Sequence, residues 1–135
     1  MDRGPAADFN VPGVPTPIPN IGLTVQASRG PALVMCTVDI DHGGLGTSLN
    51  TVSILKNGVQ LGSATQSLRM IGPDRMGASI LELDPAPAVG DVYQIAISEA
   101  VVDPANFVRA NSAVLVFVAV GKDAAFVSEV GAPTP

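Results

Sequence analysis

This chain of 135 residues has no tryptophan, one tyrosine, four phenylalanines, one cysteine and one histidine. Each scarcity removes a class of chemistry. The lone Cys36 forms no intrachain disulfide and supports no structural zinc site. Its neighbours in Leu33-Val-Met-Cys-Thr-Val38 are mostly apolar, so it reads as a small buried hydrophobe. A nucleophilic thiol needs an activating base and partial exposure. The single His42 has Asp39 and Asp41 nearby, but no serine stands in a nucleophile-elbow context. Glu82 and Asp84 share a strand face, as paired glycosidase carboxylates would; the poverty of aromatics for stacking on sugar argues against that use. Asp39 and Asp41 also share a face, yet calcium takes six to eight oxygen ligands. Gly43-Gly-Leu-Gly46 has neither the dinucleotide fingerprint nor the Lys-Ser/Thr of a phosphate loop. The expectation is a protein that is no enzyme and carries no cofactor or metal.

Charge is scarce too, at 14% of residues, with seven Lys and Arg against twelve Asp and Glu. The cations (Arg3, Arg29, Lys56, Arg69, Arg75, Arg109, Lys122) are scattered singly. Nucleic-acid binding needs clustered cations to displace counterions from phosphates, and an anionic membrane surface asks the same, so neither partner is expected. The longest apolar run, Ala113–Val120, has eight residues, and a membrane-spanning helix needs about 20. Met1-Asp-Arg-Gly-Pro5 has no apolar core of the secretory-signal type. Synthesis in a cytoplasm, with no Sec-type route out of it, is the expectation.

What the chain does have is small apolar side chains, with 17 Ala, 18 Val and 47% hydrophobic residues overall. That is enough for one domain with a real core. Six of its twelve prolines fall in the first 31 residues. Proline lacks the N–H and clashes with a preceding helical turn, so Val11-Pro-Gly-Val-Pro-Thr-Pro-Ile-Pro19 is extended or polyproline II. A solvated linker is rich in Ser, Glu and Lys; this one carries Phe9, Val11, Val14, Ile18 and Ile21. Residues 1–22 are therefore read as an extended arm ordered by a partner.

From Leu23 the pattern has period two. Strands are expected at Leu23–Ser28, Leu33–Asp41, Val52–Lys56, Val59–Leu61, Ser79–Asp84, Val92–Ser98 and Ala113–Val120. Asn57-Gly58 between two apolar runs suits a type I′ hairpin turn, whose two central residues both need positive φ. Asp103-Pro-Ala-Asn-Phe-Val-Arg109 has helix-start signals and room for a turn or two. Many short strands at turn-punctuated intervals indicate an all-β antiparallel sandwich over 23–121, followed by a tail over 122–135. The last strand is apolar on both faces: Leu115 and Phe117 on one, Val114, Val116 and Val118 on the other. In a two-layer sandwich one face of a sheet meets water, so this strand needs a second cover. A subunit interface at Leu115 and Phe117 is expected.

Ser53-Ile-Leu-Lys-Asn-Gly-Val59, Gly90-Asp-Val-Tyr-Gln-Ile-Ala96 and Ala113-Val-Leu-Val-Phe-Val118 together resemble the C1q/TNF-like jelly roll over roughly residues 23–121. That resemblance implies a homotrimer with the last strand near the three-fold axis. A compact β domain, a Pro-rich arm, no disulfide and an acidic balance also resemble tailed-phage capsid decoration (cement) proteins. This second likeness implies a structural virion protein on the capsid surface, made in the host cytoplasm, whose partners are its own copies and the major capsid protein. In that setting the arm residues Phe9, Val11, Val14, Ile18 and Ile21 would bind the shell, three arms acting together. The alternative is a phage fibre or spike head that binds a host surface receptor.

Overall fold

The computed structural model describes residues 2–5, 11, 13–27, 30–43, 46–100, 107–119 and 127–129, with 2–5, 107–111 and 127–129 described by their backbone alone. Ten strands are found among them: β1 (Asp2–Pro5), β2 (Thr16–Pro17), β3 (Leu23–Thr24), β4 (Ala32–Gly43), β5 (Thr47–Lys56), β6 (Val59–Ile71), β7 (Asp74–Asp84), β8 (Val92–Glu99), β9 (Phe107–Ala119) and β10 (Val127–Glu129). No helix occurs among the described residues.

The strands form two antiparallel sheets. One runs β1-β9-β4-β7, with β10 continuing the β1 edge along β9; the other runs β2-β8-β5-β6, with β3 continuing the β2 edge along β8. Between β4 and β9 the chain changes sheet at every connection except the β5–β6 hairpin. This is the two-Greek-key winding of a jelly roll. The all-β antiparallel sandwich expected from the alternating pattern is the fold observed.

Period two explains which side chains meet. Along β4, Ala32, Val34, Cys36, Val38, Ile40 and His42 turn inward, while Met35 and Thr37 are exposed and Leu33, Asp39 and Asp41 are partly exposed. The core between the sheets is completed by Val52 and Ile54 of β5, Leu68 and Met70 of β6, Ala78 and Ile80 of β7, Tyr93, Ile95 and Ile97 of β8, and Ala113, Leu115 and Phe117 of β9. Tyr93 and Phe117 touch across the two sheets, ring centroids 5.4 Å apart and tilted by 42°. The hairpin turn is as expected, with φ of 51° at Asn57 and 82° at Gly58.

Several boundaries differ from the pattern-based expectation. β6 continues to Ile71 and β7 begins at Asp74, because a small, polar edge strand such as Gly62-Ser-Ala-Thr-Gln-Ser67 faces water and shows little apolar alternation. Phe107–Arg109, expected in a short helix, belongs to β9; residues 103–106 lie outside the described ones. The local start signals give way to pairing with the end of β4, where Asp41 stands opposite Arg109 and Gly43 opposite Phe107.

Candidate docking face

Val11, Ile18 and Ile21, expected on a partner-binding arm, are buried in the chain's own core. β1 lies along β9, β2 lies along β8, and the Ile18 N–H donates to the Ile95 carbonyl at 2.8 Å. Proline-rich chain makes these short edge pairings because an edge strand leaves half its N–H groups unused. Of the described apolar candidates on the arm, Val14 alone is open, at 67% exposure; Phe9 lies outside the described residues. Leu115 and Phe117, expected at a subunit interface, sit inside the sandwich instead, 0% and 1% exposed within the single chain. On the opposite face of the same strand Val118 is buried within the single chain, while Val114 and Val116 are half-buried.

That face is the outer side of the β9-β4-β7 sheet. Register places Leu83, Leu33 and Val118 in one cross-strand row, Leu81, Met35 and Val116 in the next, and Ser79, Thr37 and Val114 in the third. Leu81, Leu83 and Met35 are 56%, 51% and 36% exposed. Beyond the third row the face turns polar: Ser112 donates to Asp39 at 3.0 Å, and the Arg75 guanidinium meets Asp41 at 3.2 Å. The outer side of the other sheet is unlike it. Rows there read Ser98-Thr51-Ser67 and Ala96-Ser53-Thr65, with the Thr51 and Ser67 hydroxyls bonded at 3.0 Å. The sandwich therefore has one apolar flank and one hydroxyl-bearing flank.

Leu81 and Leu83 were not singled out by the sequence reading, for a definite reason. In Ile80-Leu-Glu-Leu-Asp84 the apolar side chains alternate with acids, so the usual reading turns the leucines inward. β7 has the reverse phase: Asp84 is buried, Glu82 points toward β6, and the leucines face out. Asp84 tolerates burial because the Tyr93 hydroxyl, the Lys56 ammonium at 2.9 Å and the Ala86 N–H at 3.1 Å all donate to it. Burial works to raise its pKa, but those donors outweigh burial and hold the carboxyl below the usual range. Glu82 accepts the Ala64 N–H of the neighbouring edge at 3.0 Å. The available signal was Ala78 and Ile80, whose inward phase carries Glu82 and Asp84 with it.

The polar candidates are dispersed by the fold. His42 is buried on the inner face of β4, whereas Asp39 and Asp41 are on the outer face of the same strand. Among the described residues neither ring nitrogen of His42 finds a hydrogen-bond partner. Cys36 is buried, and burial pushes its thiol up to about 11. Among the described residues no three His, Cys, Asp or Glu side chains converge as a metal site. Gly44 and Leu45 of the glycine loop lie outside the described residues. In comparisons with known proteins, the chain matches no family model, no curated protein and no solved structure.

Proposed function

We propose that this chain is a structural assembly protein: a jelly-roll subunit that decorates and stabilises a phage capsid as a homotrimer, working by docking and not by catalysis. The observation that carries the reading is the apolar outer face of the β9-β4-β7 sheet. Contiguous exposed apolar surface on a folded domain marks an interaction site, and here it stands apart from any grouping of catalytic side chains. The arm mechanism is revised accordingly. With Val11, Ile18 and Ile21 inside the domain, contacts to the shell come from the folded body, including Val14 and the exposed turn residues Val59 and Val89.

The test is made on virions purified from the cells that make this chain. Quantitative mass spectrometry should find it at a fixed ratio to the major capsid protein, and immunogold label against it should cover the shell. Label confined to a tail tip would replace decoration with the fibre-head alternative. Absence from purified particles would overturn both.

A further inference from the structure

We infer that Glu82 and Gln66 form a side-chain seam that closes one side of the sandwich and keeps its two long edge strands from pairing with strands of another copy. The inference goes beyond the docking reading above and concerns a different surface. Three observations carry it.

The first is the length of the edges. One border of each sheet is made of short strands: β1 and β10, with four and three residues, along β9, and β2 and β3, with two residues each, along β8. β1 and β2 also contain Pro5 and Pro17, which offer no N–H. The opposite borders are β7 and β6, with 11 and 13 residues. An edge of that length presents a row of backbone groups with which another strand can pair, so a chain that stays dispersed has to block it.

The second is what occupies those long edges. β6 and β7 follow one another through Gly72-Pro73 but belong to different sheets, and no backbone ladder joins them. Side chains bridge them instead. The Ala64 N–H of β6 donates to the Glu82 carboxylate of β7 at 3.0 Å, and the Ser79 N–H of β7 donates to the Gln66 side-chain oxygen of β6 at 2.7 Å. Each edge supplies the acceptor for the other. Both N–H groups lie near the middle of their strands, where an incoming strand would need its ladder to be continuous. At the start of β7 the Arg75 N–H is taken as well, by Asp74 at 2.7 Å.

The third is the phase of the two side chains. Gln66 has the inward phase of Leu68 and Met70, and Glu82 that of Ala78 and Ile80. Inward positions of a sandwich strand are ordinarily apolar. Here both are polar and half-buried, which lets each reach the backbone of the neighbouring edge. β6 is shaped to receive the carboxylate, because Gly62, at φ +64°, leaves no room for a Cβ beside the Glu82 carboxyl group. The carboxylate also places negative charge on the edge of a chain whose net charge is −5, so an identical edge is repelled.

The experiment compares wild type with Glu82→Ala, Gln66→Ala and the double variant, each in the full chain, by amide hydrogen exchange, circular dichroism and sedimentation velocity from 1 to 100 μM. The Ala64 amide should exchange about tenfold faster in Glu82→Ala, and the Ser79 amide about tenfold faster in Gln66→Ala, while the amides of the central strands β4 and β5 stay as in wild type. Glu82→Gln keeps an acceptor and should protect Ala64. The double variant should retain the β spectrum yet form heavier species than wild type at 100 μM. Adding Thr65→Lys, a charge on an exposed position of β6, should disperse them. If the double variant does not keep the β spectrum, Gln66→Ala alone is judged by the same measurements. A folded variant that sediments as wild type does, or heavier species that Thr65→Lys leaves intact, overturns the inference.

Discussion

Asp84 shows how a single side chain sets the phase of a strand. A buried carboxylate without donors costs several kcal/mol; with Tyr93, Lys56 and the Ala86 N–H around it, the inward phase of β7 is stable. Tyr93→Phe should lower stability by about 1.5–3 kcal/mol, the value of a hydrogen bond to a charged group, measured by urea unfolding at pH 7. The pH dependence follows from the direction of the shifts. The Asp84 carboxyl is held below its ordinary 3.8, so the stability it contributes is present above that value and is lost as pH falls through its folded pKa. Hydrogen bonding to Asp84 is the chief cause that raises Lys56 above 10.5; its contribution is present below 10.5 and is lost as pH rises through the folded value. Unfolding free energy should therefore hold level from about pH 6 to 9 and decline on both sides. A continuous decline from pH 9 to 6 would show that other groups control it. Gly62 is the second residue with a specific role. It has φ of +64°, and a Cβ there would lie 2.3 Å from the Glu82 carboxyl carbon. Gly62→Ala should cost about 1–2 kcal/mol from the backbone conformation alone, and more from the clash. In a double-mutant cycle with Glu82→Ala, the two costs should sum to more than the cost of the double variant.

At the scale of elements, the described residues among the first 25 pair and pack with the sandwich. Val11, Ile18, Ile21, Leu23 and Val25 all enter the core. Burying each aliphatic side chain contributes about 1.5–3 kcal/mol, so Val11, Ile18 and Ile21 together contribute about 5–9. That is comparable to the whole stability of an ordinary domain. Deleting residues 1–22 should therefore abolish cooperative thermal unfolding; a truncated chain that melts within a few degrees of wild type would return these residues to the status of a separable arm. The apolar residues among the prolines were legible in the sequence. Whether they would meet their own sandwich or a partner was not, because an extended segment has no periodic face that names its neighbour. The β5–β6 turn was legible in full, since Asn-Gly has few other low-energy uses between two strands. Its wider role was not. The Asn57 amide donates to Asp91 at 2.9 Å and its oxygen accepts the Val92 N–H at 2.9 Å, which ties the hairpin tip to the β7–β8 connection.

At the scale of the whole molecule, the fold converts one greasy strand into an inside and an outside. Phe117→Ala should cost about 3–5 kcal/mol of stability by leaving a cavity against Tyr93, read by chemical denaturation. It should not produce a folded, dissociated subunit. If copies associate through the proposed apolar docking face, the association should be as strong at 500 mM NaCl as at 50 mM. Dissociation at high salt would mean that exposed ion pairs such as Asp41–Arg75 hold the copies together.

Composition and period-two alternation determined that the chain is an all-β antiparallel sandwich, because local stereochemistry alone sends successive side chains to opposite faces. They also determined that β9 needs covering on both sides. Which side is the core was decided only in three dimensions. A strand of alternating Val, Leu and Phe has two faces of similar hydropathy, and the choice between them depends on which face meets Tyr93 of the opposite sheet. The phase of β7 was settled in the same way, by Lys56 and Tyr93 arriving from distant strands to hold Asp84. Such donors are separated by 28 and 9 residues in sequence, and no local window contains the free energy that makes a buried acid stable.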